Sequence, residues 1–234
     1  MPRLPRALLV VVALIAAGCS QGRPSAEGDS AAPVAVPAGS GSASLPSRAV
    51  PRIVFLGDSL TAGYGLEIEQ SVPALVQERL DAAGYKYEVV NAGVSGDTSA
   101  GGLRRLDWSL DGDVRILVVE LGANDGLRGL PVAEMKENLK TIITKARQRG
   151  IEVLLTGMEA PPNYGPAYTA EFRRVFRDLA REEHVAFMPF YLAGVVGIPT
   201  LNIADQMHPN PAGAKIVEAN LWQALRPMLR RQDR

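Results

Sequence analysis

Arg52-Ile53-Val54-Phe55-Leu56-Gly57-Asp58-Ser59-Leu60-Thr61-Ala62-Gly63-Tyr64-Gly65 is an apolar run that breaks into a small, polar turn. Ile53 to Leu56 read as a strand buried on both faces, and Gly57 ends it. Ser59 falls just past the carboxyl end of that strand, where open parallel α/β sheets place their ligands. That position makes Ser59 a candidate nucleophile. A serine there also suits a helix N-cap or a turn, so the chemistry depends on whether other segments supply a base and oxyanion donors.

From Val50 onward, short apolar runs alternate with amphipathic stretches, which predicts βαβ units on a parallel sheet. Val72, Leu75, Val76, Arg79 and Leu80 share one helical face, with Gly84 as the stop. Tyr87 to Val90 reads as a second strand, and Val114 to Leu121 as a third, whose continuous apolar character makes it central. Pro131 opens a helix carrying Val132, Met135, Leu139, Ile142, Ile143 and Ala146 in register and closed by Gly150. Glu152 to Gly157 is a fourth strand, Ala167 to Glu183 a helix, Val185 to Pro189 a fifth strand, and the last helix starts at Pro211. The expected architecture is one three-layer α/β/α domain on a five-stranded parallel sheet.

Right-handed crossovers bring the carboxyl ends of such strands to one edge, so their outgoing loops belong together. After the second strand comes Asn91-Ala92-Gly93-Val94-Ser95-Gly96-Asp97-Thr98, and after the third Gly122-Ala123-Asn124-Asp125-Gly126. Both have ordinary turn chemistry, but they also offer backbone N–H groups beside a glycine and a side-chain amide, which suit an oxyanion. The residues alone leave Gly93 and Gly96 as equal candidates. After the fifth strand, Ala204-Asp205-Gln206-Met207-His208-Pro209 puts an acid three residues before a histidine. Within one turn that carboxylate reaches the imidazole, selects its tautomer and stabilises its charged form. The other histidine, His184, sits at a helix end and is assigned a structural role.

The chain has 234 residues, 47% hydrophobic and 21% charged, with 25 basic against 25 acidic residues. Such a balance carries no electrostatic footprint for nucleic acid and favours a small, neutral or weakly charged substrate. Arg3 and Arg6 precede an apolar segment from Ala7 to Ala17 that ends in Gly18-Cys19. Its length fits a signal-peptide core and is short of the roughly 20 residues of a spanning helix. Ala16-Ala17-Gly18-Cys19 resembles the lipobox of bacterial lipoproteins, although Ala replaces the usual Leu. Cys19, the single cysteine, is therefore the expected lipid-attachment site of an exported, membrane-anchored protein facing the periplasm or cell surface. Residues 20–49, rich in Ser, Ala, Gly and Pro, read as a tether too poor in apolar area to offset its ordering entropy. The division is thus 1–19 signal peptide, 20–49 tether and 50–234 folded α/β domain.

Taken together, four blocks resemble those of the GDSL or SGNH hydrolases: Gly57-Asp58-Ser59-Leu60, Gly96 within Val94 to Thr98, Gly122-Ala123-Asn124-Asp125, and Asp205 to Pro209. LGANDGLRG (121–129) and Pro162-Asn163-Tyr164-Gly165 are similar to the bacterial branch of acyl-CoA thioesterases, lysophospholipases and arylesterases. The resemblance spans Arg52 to Leu225 and implies a flavodoxin-like SGNH fold. It implies Ser59 as nucleophile, His208 as general base and Asp205 as its orienting acid. The implied oxyanion hole is the Ser59 N–H, the Gly96 N–H and the Asn124 side-chain amide, so the resemblance chooses Gly96 over Gly93. There is no G-x-S-x-G elbow of the α/β-hydrolases around Ser59.

The function implied is hydrolysis of carboxylic esters or thioesters through an acyl-serine, on aryl esters, short- to medium-chain acyl esters, lysophospholipids or acyl thioesters. A monomer needing no cofactor or metal is expected. Pro161 to Tyr168 and Leu192 to Leu201 are the candidates for an acyl channel. The alternatives are a carbohydrate O-acetyl esterase or a non-catalytic binding lipoprotein. A nucleotide site is opposed by the absence of G-x-x-x-x-G-K-[ST] and G-x-G-x-x-G at Gly57 to Gly65.

Overall fold

Five parallel strands, β1 (Arg52–Gly57), β2 (Glu88–Gly93), β3 (Val114–Glu120), β4 (Glu152–Thr156) and β5 (Ala186–Met188), form a sheet in the order β2-β1-β3-β4-β5. The computed structural model describes residues 50–230, so the signal segment, Cys19 and the tether lie outside the described residues. β3 occupies the middle of the sheet, as its apolar run requires: Ile116 to Val119 are all buried. The chain runs from β1 outward to β2 and then crosses back to β3, so the topological switch point falls between β1 and β3. Gly57 is paired with Gly93 on one side and Glu120 on the other, which aligns the carboxyl ends of the three strands that feed the candidate loops.

The helices among the described residues are α1 (Ser59–Ala62), α2 (Val72–Ala82), α3 (Ser99–Ser109), α4 (Ala123–Leu127), α5 (Val132–Gln148), α6 (Pro166–Glu182) and α7 (Pro211–Leu225). α2 packs against α7, α3 against α5, and α5 against α6, giving the outer layers of the three-layer architecture. The stripe predicted on α5 is buried at all six positions. Phe172 and Phe176 of α6 are fully buried, with ring centroids 5.5 Å apart in an edge-on arrangement. A buried phenylalanine contributes on the order of 1.5 to 3 kcal/mol through its area alone.

Two readings need correction. β2 runs to Gly93, so Asn91-Ala92-Gly93 is strand and the outgoing turn starts only at Val94, because pairing with β1 continues to Gly57. α3 has no counterpart in the predicted elements. Gly101 and Gly102 depress helix propensity there, but a Cβ at Gly101 would collide with the Asp97 carboxylate and one at Gly102 with Leu121. Packing outweighs propensity at both places, against the chain just ahead of the helix at Gly101 and against another segment at Gly102.

Candidate active site

Asp58 closes the first turn after β1: its Oδ1 accepts the Leu60 N–H at 3.0 Å, which makes Asp58 the N-cap of α1. The capping role considered for Ser59 therefore belongs to its neighbour. Ser59 Oγ instead lies 2.8 Å from His208 Nε2, a contact across 149 residues of sequence. The imidazole is held from its other side, where Nδ1 is 2.6 Å from Asp205 Oδ2. Asp205 Oδ1 accepts the backbone N–H groups of Met207 (2.9 Å) and His208 (3.0 Å). Partial burial pushes the Asp205 carboxyl up, but those two N–H groups and the His208 ring outweigh it and bring its pKa to about 2. Tyr64 lies against the imidazole, with ring centroids 4.8 Å apart.

The two candidate glycines are distinguished by their surroundings. The Gly93 N–H goes to Asn91 Oδ1 at 3.0 Å, and a Cβ on Gly93 would strike the backbone of Ala62. Gly93 is a packing glycine. Gly96 has φ +84°, inside a turn closed by the Asp97 N–H to Val94 O at 3.0 Å. Among the described residues neither the Gly96 N–H nor the Ser59 N–H has a protein acceptor.

Asn124, in the first turn of α4, brings its Nδ2 to the same place. That amine donates to Asp58 Oδ2 at 2.9 Å and to the Asp97 carbonyl at 3.0 Å. Both of its hydrogens already have acceptors. The neighbouring Asp125 is buried and accepts the Ser99 N–H (2.8 Å) and hydroxyl (2.6 Å), tying α4 to the start of α3.

Beneath the serine lies an acid pair that sequence reasoning missed. Glu120, at the end of β3, is fully buried; its Oε2 accepts the Asp58 N–H at 3.2 Å and the Thr61 hydroxyl at 2.8 Å. Burial first, and the neighbouring Asp58 charge second, raise the Glu120 carboxyl well above the usual range. The Asp58 carboxyl is also raised, by burial, against the opposing bonds from Leu60 and Asn124. The available signal was a glutamate directly after the buried apolar run Ile116 to Val119.

Ser59, Gly96, Asn124 and His208 share the wall of a cavity of about 680 Å³. Pro161, Pro162, Leu192 and Val196, from the two loops named for an acyl channel, line it together with Leu127, Met158, Phe190 and Met207, which were not named. The Tyr164 hydroxyl instead donates to Leu127 O at 2.9 Å, bracing that wall from behind. His184 precedes β5, at the amino ends of the strands, and does not line this cavity.

A serine hydroxyl, an imidazole and a carboxylate in hydrogen-bonded series, past the carboxyl edge of a parallel sheet with unpaired N–H groups beside them, define the serine hydrolase class. The GDSL-like lipase/acylhydrolase family model matches residues 55–216, and the chain belongs to that family. It is 46% identical over 178 residues to esterase TesA of Pseudomonas aeruginosa, covering 76% of this chain and 89% of that protein. To thioesterase 1/protease 1/lysophospholipase L1 of Escherichia coli K12 it is 35% identical over 184 residues, covering 78% and 87%. The structure is similar to that of the psychrotrophic esterase EstA from Pseudoalteromonas sp., inhibited by monoethylphosphonate. That match has a TM-score of 0.72 and 34% identity, covering 75% of this chain and 97% of the other. The protein is a hydrolase of carboxylic esters or thioesters.

Proposed function

We propose that Ser59 is the nucleophile, His208 the general base and Asp205 the acid that orients it. The observation that carries this reading is the continuous series from Asp205 Oδ2 through His208 to Ser59 Oγ, at 2.6 and 2.8 Å, opening on an apolar cavity. His208 takes the serine proton as Oγ attacks the carbonyl, then returns it to the departing alcohol or thiol. Water, activated by the same imidazole, releases the acid from the acyl-serine. General-base catalysis of this kind contributes on the order of 10²- to 10⁴-fold. The Ser59 and Gly96 N–H groups would bind the oxyanion directly, and Asn124 would join by sharing a hydrogen now held by Asp97 O, each donor contributing about 3 to 4 kcal/mol.

The cavity lining favours an acyl chain over an acetyl group. Each buried methylene contributes about 0.8 kcal/mol, so kcat/KM should rise with chain length until the cavity is full. The test is a p-nitrophenyl ester series from acetate to palmitate with the wild type and Ser59→Ala. Activity on several chain lengths that vanishes in the variant supports the reading. Activity on acetate alone would replace it with the carbohydrate O-acetyl esterase, and no activity on any ester would replace it with a binding protein. Aryl esters, lysophospholipids and acyl thioesters are the substrate classes proposed, with one chain acting as a monomer.

Export and lipidation of Cys19 belong to the same proposal, supported by Arg3, Arg6 and the apolar run that ends in Gly18-Cys19. Cys19→Ser should move the protein from the membrane to the soluble fraction of a bacterial lysate. A wild-type chain already found in the soluble fraction would remove the anchor from the proposal.

A further inference from the structure

Arg105, on α3, does not line the cavity, yet its guanidinium joins three segments beneath it. Nε donates to Asp97 Oδ2 at 2.6 Å, Nη1 to Ala92 O at 2.6 Å and Nη2 to Gly57 O at 2.8 Å. Each acceptor leads to a proposed oxyanion donor. Gly57 is two residues before Ser59, and its carbonyl also accepts the Val94 N–H at 3.0 Å, so it anchors the start of the Gly96 turn. Ala92 belongs to the strand end that enters this turn, and Asp97 directly follows Gly96. The backbone carbonyl of Asp97 in turn accepts the Asn124 Nδ2 at 3.0 Å.

The surroundings are shaped for this clamp. The Arg105 and Asp97 side chains are each 17% exposed, so their ion pair is little screened by solvent. Gly101, one turn ahead of Arg105 on α3, leaves the space that the Asp97 carboxylate occupies. A guanidinium supplies donors on three nitrogens in one rigid plane, whereas a lysine ammonium is a single nitrogen on a flexible stem and cannot hold three diverging acceptors in the same geometry.

We infer that Arg105 is a positioning residue for ester hydrolysis: it sets the spacing of the Ser59, Gly96 and Asn124 donors without touching substrate. The inference rests on the oxyanion hole proposed above. A displacement of reacting groups by about 1 Å costs on the order of 10²-fold in rate. Binding of the acyl chain depends on cavity residues that Arg105 does not touch, so KM should be spared.

The test uses the full chain and steady-state hydrolysis of p-nitrophenyl esters by wild type, Arg105→Lys, Asn124→Ala and the double variant, with Ser59→Ala as control. Arg105→Lys should lower kcat about 10- to 10²-fold, with KM changed less than about twofold. The double variant should lose less than the product of the two single losses, because part of the Arg105 effect acts through Asn124. Unchanged kcat in Arg105→Lys, a loss carried by KM, or losses that multiply would each overturn the inference. Should Arg105→Lys fail to fold, Asp97→Asn keeps both Arg105 bonds to carbonyls and should show the same kcat-selective loss; its absence there would also overturn the inference. An active Ser59→Ala would instead refute the proposed site itself.

Discussion

Alanine at position 96 separates backbone conformation from packing. Gly96 has φ +84°, and a Cβ there would meet only Arg128 Nη2, at an ordinary 3.7 Å. The cost is therefore conformational, about 1 to 2 kcal/mol for a non-glycine residue held left-handed. Ser95 is not among the residues with positive φ, so the Val94 to Asp97 turn is type II. It escapes the strain by becoming type I, which rotates the Ser95–Gly96 peptide and swings its N–H away from the cavity. Stability should then fall by less than about 2 kcal/mol, while loss of one oxyanion donor should lower kcat about 10²- to 10³-fold. Urea unfolding and p-nitrophenyl ester kinetics on Gly96→Ala measure both. Gly93→Ala should behave in the opposite way, because its Cβ meets the backbone of Ala62 and the damage is to folding. A folded Gly96→Ala with kcat within about twofold of wild type would refute the oxyanion assignment.

Asn124→Ala should lower kcat on the order of 10²-fold with the fold intact by circular dichroism, and unchanged turnover would remove its amide from the hole. Ser59→Ala should abolish covalent labelling by an organophosphonate, read by mass spectrometry of the intact chain; surviving label would mean a different nucleophile. For Glu120, a raised folded pKa means that the folded state holds its proton longer than the unfolded chain, so this acid subtracts stability as pH rises above its ordinary 4.5. Glu120→Gln should therefore gain stability relative to wild type, by up to about 1.4 kcal/mol per pH unit from that point until the folded state also loses the proton, in urea titrations at successive pH values. Asp205 has the reverse sign: its contribution is complete above its ordinary 3.8 and is lost as pH falls through about 2. The stability difference between wild type and Asp205→Asn should shrink over that window, and a constant difference would mean that the Met207 and His208 N–H groups and the imidazole do not favour its charged form.

The strand before Ser59 was legible because a continuous apolar run bounded by glycine leaves a buried parallel strand as its natural reading. The pairing of Asp205 with His208 was legible for a similar reason: three residues separate them, and one turn's dihedrals decide whether they meet. Local chain geometry contains such information. The sequence determined the succession of the five strands and of the long helices other than α3, the polar loops at the strand ends, and the residue types that acyl chemistry needs. Only the tertiary structure decided which loop atoms meet. Strand order and the register of Gly57 with Gly93 and Glu120 bring Ser59 to a histidine 149 residues away and set an acid beneath it. The same folding separates Gly96, whose N–H has no acceptor among the described residues, from Gly93, whose N–H and missing Cβ serve Asn91 and Ala62. It also makes a helix of residues with two glycines: the space at Gly102 is taken by Leu121 from β3's outgoing end, whereas the space at Gly101 is taken by Asp97, only four residues ahead of it. Contacts across such separations depend on the packing of the whole sheet, which no local pattern of residues encodes.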